Sequence, residues 1–145
     1  MSLARTHARQ SAVQALYQWQ MAGQDLNEIE QQFYLDKNFR NVQRSYFRDL
    51  LHGVPSQLTR LDQALSEFTD RTVNELDPVE RAILRIGVYE LINRLDVPYK
   101  VIVNEGINLA KRFGATDSHK YVNSILDKVA QKERPDETAA EKTKV

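Results

Sequence analysis

Cysteine is absent from this 145-residue chain. Its absence excludes disulfides, thiolate zinc sites and cysteine nucleophiles, and it fits a reducing compartment. Net charge is absent as well, because 20 Lys and Arg balance 20 Asp and Glu. No global field steers a polyanion, so any nucleic-acid binding has to come from a local patch. There is no run of about 18 apolar residues for a membrane span, and the N-terminus lacks the apolar stretch of a signal peptide. The expectation is a cytoplasmic, soluble chain with no membrane partner. Alternating apolar and polar runs joined by hairpin turns are missing too, which argues against strands.

Catalytic patterns are equally sparse. The histidines, His7, His52 and His119, are scattered, and none pairs with another at the helical spacing a metal requires. The five glycines form no phosphate-cradling loop. No serine carries a nucleophile-elbow pattern, and acidic pairs such as Glu28 and Glu30 read as solvated surface. The reading is a non-enzymatic chain without metal or cofactor.

What is present is helical periodicity. The stretch 77–91 opens with Asp77 as a cap, Pro78 pre-set for the first helical position and Glu80 where a capping-box carboxylate belongs. Leu84, Val88, Leu91 and Leu95 line one flank; Val79, Ile83 and Ile86 line a second. Arg81, Arg85 and Asn93, with Tyr89, make the polar stripe. A helix apolar on two flanks touches several neighbours, so this is the central helix, and Gly87 leaves room for another helix to approach closely. Around it, Ala8, Ala12, Ala15, Leu16 and Trp19 set a first helix over 4–22, ended by Gly23. Asp25 caps a second over 26–36. Phe47, Leu51, Val54, Leu58, Leu61 and Leu65 keep one phase through Gly53 and Pro55, which predicts one long kinked helix. A helical turn near 72–76, helices over 99–113 and from 116 or 117 onward, and a charged tail without an apolar face complete the chain. The tail, 132–145, reads as disordered. The fold class is all-α, with about seven helices.

Two clusters invite a binding role. Residues 1–24 hold Arg5, His7 and Arg9 and no acid; the first acid is Asp25. Cations at a helix start oppose its dipole, and an external phosphate chain would be a reason for them; a frayed, solvated end is the plain alternative. The second cluster, Asp117 to Tyr121, offers free N–H groups, Lys120 and an aromatic at a helix start. Single-stranded RNA is gripped by stacking plus nearby cations, although on spacing alone Tyr121 packed inward behind a simple cap is the better account.

Five blocks carry a resemblance: Ala12-Val13-Gln14-Ala15-Leu16-Tyr17-Gln18-Trp19-Gln20, Tyr46-Phe47-Arg48-Asp49-Leu50-Leu51-His52-Gly53-Val54, Val79-Glu80-Arg81-Ala82-Ile83-Leu84-Arg85-Ile86, Asp96-Val97-Pro98-Tyr99-Lys100-Val101, and Phe113-Gly114-Ala115-Thr116-Asp117-Ser118-His119-Lys120-Tyr121-Val122-Asn123. Together they resemble the bacterial NusB transcription antitermination family, over about 4–129. The resemblance implies a single domain, 1–131, of two packed helical bundles (1–66 and 67–131). It implies pairing with NusE, a small-subunit ribosomal protein, and binding of boxA-type single-stranded RNA, notably of ribosomal RNA transcripts. It further implies assembly with other Nus factors on RNA polymerase, with no reaction catalysed. On this chain it assigns RNA contact to Arg5, His7, Arg9, Asp117, Lys120 and Tyr121, where many relatives have Phe at the last position, and NusE contact to Tyr17 and Glu80. The expected arrangement has Arg5, Arg9 and Lys120 neutralising phosphates along one edge where the first and last helices start together, with Tyr121 stacking a base. Two alternatives remain: a NusB-like RNA-binding domain of a ribosomal RNA cytosine methyltransferase, and a helical protein-interaction module. The first calls for a cofactor-binding α/β domain beyond Val145, which the charged tail does not lead one to expect.

Overall fold

Local signals set most helix ends in the computed structural model, which describes residues 2–142. Ser2 accepts the Arg5 N–H and opens α1 (Leu3–Ala22), and Gly23 closes it in the left-handed region at φ 63°. Asp25 accepts the Asn27 and Glu28 N–H groups and starts α2 (Leu26–Leu35). Then come α3 (Arg44–Ser56), α4 (Leu58–Ser66), a 3₁₀ turn at Val73–Glu75, α5 (Pro78–Asn93), α6 (Tyr99–Phe113), α7 (Ser118–Glu133) and α8 (Pro135–Lys142). No strand occurs among the described residues.

Helix α5 is the hub, packing against α1, α3, α4, α6 and α7. Every residue from Ala82 to Leu91 is buried. That includes two of the expected polar stripe: Arg85 is satisfied by both carboxylate oxygens of Asp62, at 3.0 and 2.8 Å, and by Gln20 at 2.8 Å, and the Tyr89 hydroxyl donates to Asp49. Leu95, by contrast, lies past the helix end and is 74% exposed. Gly87 does admit a neighbour. A Cβ there would sit 2.7 Å from Leu126 of α7, and one at Gly106 of α6 would sit 2.6 Å from the same side chain. Leu126 is thus seated between two glycines, where burial of such a side chain is worth about 1.5–3 kcal/mol.

Two sequence expectations are corrected. The long third helix is two, α3 and α4, because Pro55 has no N–H to continue the ladder and Gln57 leaves helical geometry at φ −119° and ψ 23°. The charged tail is also helical over its described part, as α8, while 143–145 lie outside the described residues. Its anchor is Arg134, which is buried and donates to the carbonyls of Glu90, Leu91, Arg94 and Val97. A cation here satisfies the orphan carbonyls at the α5 C-terminus. Three residues on, Glu137 pairs with Arg134 and accepts the Tyr99 N–H at 2.7 Å, supplying the cap that Pro98 cannot give α6. The tail therefore closes two helix ends with the charge sign each dipole prefers.

Arg134→Ala removes these four bonds, with only the Glu90 and Arg94 carbonyls keeping a backbone N–H, and is expected to destabilise the fold by about 2 kcal/mol or more. Urea unfolding checks this, and a midpoint equal to the parent's would remove Arg134 from the list of structural anchors.

Candidate nucleic-acid and partner interface

The N-terminal cluster divides between surface and core. Arg9 is 1% exposed. Its guanidinium holds Glu90 through two nitrogens, at 2.9 and 2.8 Å, and Glu105 through the third, at 2.8 Å. Tyr46 donates its hydroxyl to Glu90 at 2.5 Å and Thr6 donates to Glu105 at 2.6 Å. Burial works against the charge of Arg9, but the bond and attraction of Glu90 outweigh it and hold the guanidinium further above its ordinary range. The assignment of Arg9 to RNA is therefore corrected: this side chain joins α1 to α5 and α6 and faces no solvent. Arg5 is half-buried, reaching Gln43 at 3.3 Å and Asp96 at 3.4 Å, with its guanidinium 4.5 Å from the Tyr46 ring centre. His7 meets the Asn41 carbonyl through Nδ1 at 3.1 Å.

At the start of α7, Asp117 has φ 69°, and no other described non-glycine residue has a positive φ. Such a backbone costs an L-residue energy unless its surroundings impose it. Its carboxylate does not cap the helix; it lies 3.4 Å from the Lys120 ammonium. Tyr121 donates to Asp70 at 3.2 Å, and the Arg71 guanidinium lies 6.0 Å from its ring centre while pairing with Asp70. Burial and that bond push the Tyr121 phenol above its ordinary value. Sequence reading missed Arg71, since nothing local links the 3₁₀ turn region to α7. The Glu30 carboxylate was missed as well. Far from being solvated, it is buried and takes the Tyr34 hydroxyl at 2.5 Å and His52 Nε2 at 2.6 Å.

The fold separates the two expected RNA clusters. Helix α1 runs against α5, with Arg9 beside Glu90 and Gln20 donating to the Pro78 carbonyl. Arg5 thus lies near Asp96, past the end of α5, whereas Ser118 donates to Glu80 at its start, at 2.6 Å. The 16 residues of α5 span roughly 24 Å at about 1.5 Å each. No common edge joins the two helix starts. Tyr17 and Glu80 do share an end. Tyr17, Met21, Val79 and Phe113 line an apolar groove of about 550 Å³, next to Glu80 and the start of α7. Tyr17 is 39% exposed and Met21 57%, although Glu80 spends its carboxylate on Ser118 and its own N–H on Asp77 rather than closing a capping box.

A model of the NusB family matches residues 6–131. The chain belongs to the NusB family. The transcription antitermination protein NusB of Pseudomonas savastanoi pv. phaseolicola is 57% identical over 97% of this chain and 86% of its own length. That of Nitrosococcus oceani is 53% identical over 94% and 92%. The solved NusB of T. maritima superposes with a TM-score of 0.80 at 32% identity, covering 90% of this chain and 93% of the other. A structure of antitermination factors NusB and NusE with double-stranded RNA shares the fold, with a TM-score of 0.77 at 23% identity over 91% and 99%. These relatives favour the NusB antitermination reading over that of a methyltransferase domain.

In this NusB-family chain, Arg9→Ala would strand Glu90 and Glu105 in the core. Breaking such a buried pair typically costs about 3–5 kcal/mol. Thermal melts by circular dichroism should show that loss; an unchanged melting temperature together with weakened RNA binding would return Arg9 to the RNA surface.

Proposed function

We propose that this chain acts in the cytoplasm as a transcription antitermination factor, pairing with NusE so that the two proteins together hold boxA-type RNA of nascent transcripts, notably ribosomal RNA, and join other Nus factors on RNA polymerase. The observation that carries the partner half is the apolar groove at one end of α5. Exposed Tyr17 and Met21 flank it, and an aromatic anchor in an apolar pocket is the usual centre of binding energy. The names of the relatives, and the solved complex in which a NusB fold meets NusE and RNA, support the same reading.

On the RNA side, Lys120 and Tyr121 stand together at the start of α7, with Arg71 against the ring. Asp117 sets the turn that presents them. In this proposal Tyr121 stacks a base and Lys120 meets a phosphate. Arg5 and His7 lie at the far end of α5 and serve a different stretch of the RNA. Single-stranded RNA lowers the log-affinity slope by about 0.7 per phosphate contact, so a few contacts give weak binding alone and useful binding with NusE.

Tyr17→Ala is expected to weaken NusE binding at least about tenfold in calorimetry, with little change in melting temperature because the side chain is half out of the core. Equal NusE affinity would take Tyr17 out of the interface. For the RNA half, fluorescence anisotropy of a boxA-type RNA with the NusE pair should show Tyr121→Ala losing about 1–3 kcal/mol. No gain in RNA affinity from NusE in the unmutated protein would leave a protein-only helical module.

A further inference from the structure

The cations that sequence reading selected are already neutralised inside the chain. Arg5 faces Asp96, Arg9 faces Glu90 and Glu105, and Lys120 faces Asp117. Arg71 is spent on Asp70 in the same way. A phosphate must compete with those carboxylates. In a chain of zero net charge, positive potential survives where cations have no internal partner. Five such side chains fall in two segments. Lys37, Arg40 and Arg44 belong to the α2–α3 connection and the first turn of α3, and Lys111 and Arg112 to the last turn of α6. Among the described residues, none of them has a carboxylate within 4.0 Å. Arg40 donates only to the Lys37 carbonyl, and Arg44 and Arg112 lie over the rings of Tyr34 and Phe113. Lys111 and Arg112 suit the α6 C-terminal dipole, but that role leaves their N–H groups unfilled.

Beside one of these cations, Arg112, lies a cavity of about 460 Å³, walled by α1, by the connection 36–42 that also carries Lys37 and Arg40, and by the end of α6. Its lining is built for hydrogen bonding. Gln10, Gln14, Asn38 and Asn41 contribute carboxamides, and those of Gln10, Asn38 and Asn41 make no hydrogen bond among the described residues. Arg112 and His7 stand at the wall, and Phe39 forms a floor held edge-on by Phe47 at 5.1 Å. Asp36 is the one carboxylate among the lining residues; it takes the Asn38 backbone N–H at 2.8 Å and so stiffens the loop. Carboxamides pair with base edges in both donor and acceptor senses, and RNA-binding proteins read bases splayed out of the stack in this way.

We propose that this cavity receives one unstacked nucleotide of the bound RNA, with its base edge on the carboxamides and its phosphate at Arg112, while Lys37 and Arg40 attract the flanking phosphates. The inference rests on the RNA-binding reading above and gives the RNA a second point of attachment, away from Tyr121. It also explains how a partner could complete the surface. Gln14 and Phe33 line both this cavity and the apolar groove, so a protein seated in the groove walls the cavity's open side.

The test compares the parent, the double variant Lys37→Ala/Arg112→Ala, Asn41→Ala and Tyr121→Ala, each with NusE, by anisotropy of a boxA-type RNA at two salt concentrations. Both lysine and arginine positions are exposed, so the fold is kept. The double variant should lose about tenfold in affinity and flatten the log-salt slope by roughly 0.7 for each lost phosphate contact. Asn41→Ala should weaken binding without changing the slope. RNA carrying 4-thiouridine should crosslink to the peptide spanning 36–42. Unchanged affinity in the double variant and Asn41→Ala, while Tyr121→Ala binds weakly, overturns the cavity and leaves RNA binding intact. Loss of NusE affinity with RNA binding preserved assigns the cavity to the protein partner and overturns it too. Failure of the parent pair to bind RNA sinks both readings.

Discussion

A single buried guanidinium, Arg9 between Glu90 and Glu105, is the interaction on which the rest of the molecule depends. Taking one cation and two carboxylates out of water is costly unless geometry and further hydrogen bonds offset it. Here both are supplied: the Arg9 fork meets Glu90 through two nitrogens, and the hydroxyls of Tyr46 and Thr6 fill remaining acceptor positions. The four helices involved, α1, α3, α5 and α6, can satisfy this network in one mutual register. A slip of α1 by one turn would bury carboxylates with no cation. Apolar packing supplies most of the burial, but it tolerates small sliding; this cluster does not.

That register decides what the surface can do. With α1 locked antiparallel to α5, Tyr17 arrives beside Val79 and the start of α7, and the groove for a partner forms at that end. The other end of α5 is occupied by charge closure. Arg134 covers the last carbonyls, Glu137 caps α6, and Arg94 is shared between Asp49 and Asp96. The same economy of internal pairing runs through α4 and α7, where Arg60 meets Glu133 and Lys132 meets Glu67. A chain that neutralises so many of its own cations leaves few to recruit a polyanion, and five of those few belong to the α2–α3 connection, the start of α3 and the end of α6.

The fold was largely legible. Asp25 and Asp77 cap helices where their residue types suggest, Gly23 ends α1, and the apolar spacing of 77–91 marks the central helix, although Arg85 and Tyr89 of its expected polar stripe are buried as well. The failures have physical causes. Apolar phase continued through Pro55, but phase reports which face is buried and not whether the backbone ladder survives. The tail lacked an apolar stripe, yet α8 forms because Arg134 and Glu137 bind the ends of other helices, and a charged residue carries no mark of which distant carbonyl it will meet. Glu30 looked solvated for the same reason; its partners, Tyr34, His52 and Arg48, come together only when α2 lies on α3.

The candidate sites divide along the same line. Composition, caps and spacing were enough to establish an all-helical chain with a central helix opening at Asp77 and no run long and apolar enough to cross a membrane, and the residue blocks from Ala12 to Asn123 were enough to establish the family. Those are properties of neighbours in the chain, where hydrogen bonds and side-chain periodicity act over one or two turns. Which cations are free was decided by tertiary structure alone. Arg9 and Arg112 are the same residue type, each on a helix, and sequence gave the first a role at the surface. Desolvation and distant carboxylates put Arg9 in the core, while Arg112, with no described carboxylate within 4.0 Å, stands exposed at the rim of a cavity. Electrostatic free energy depends on distance through space and on exclusion of water, and neither is ordered along the chain.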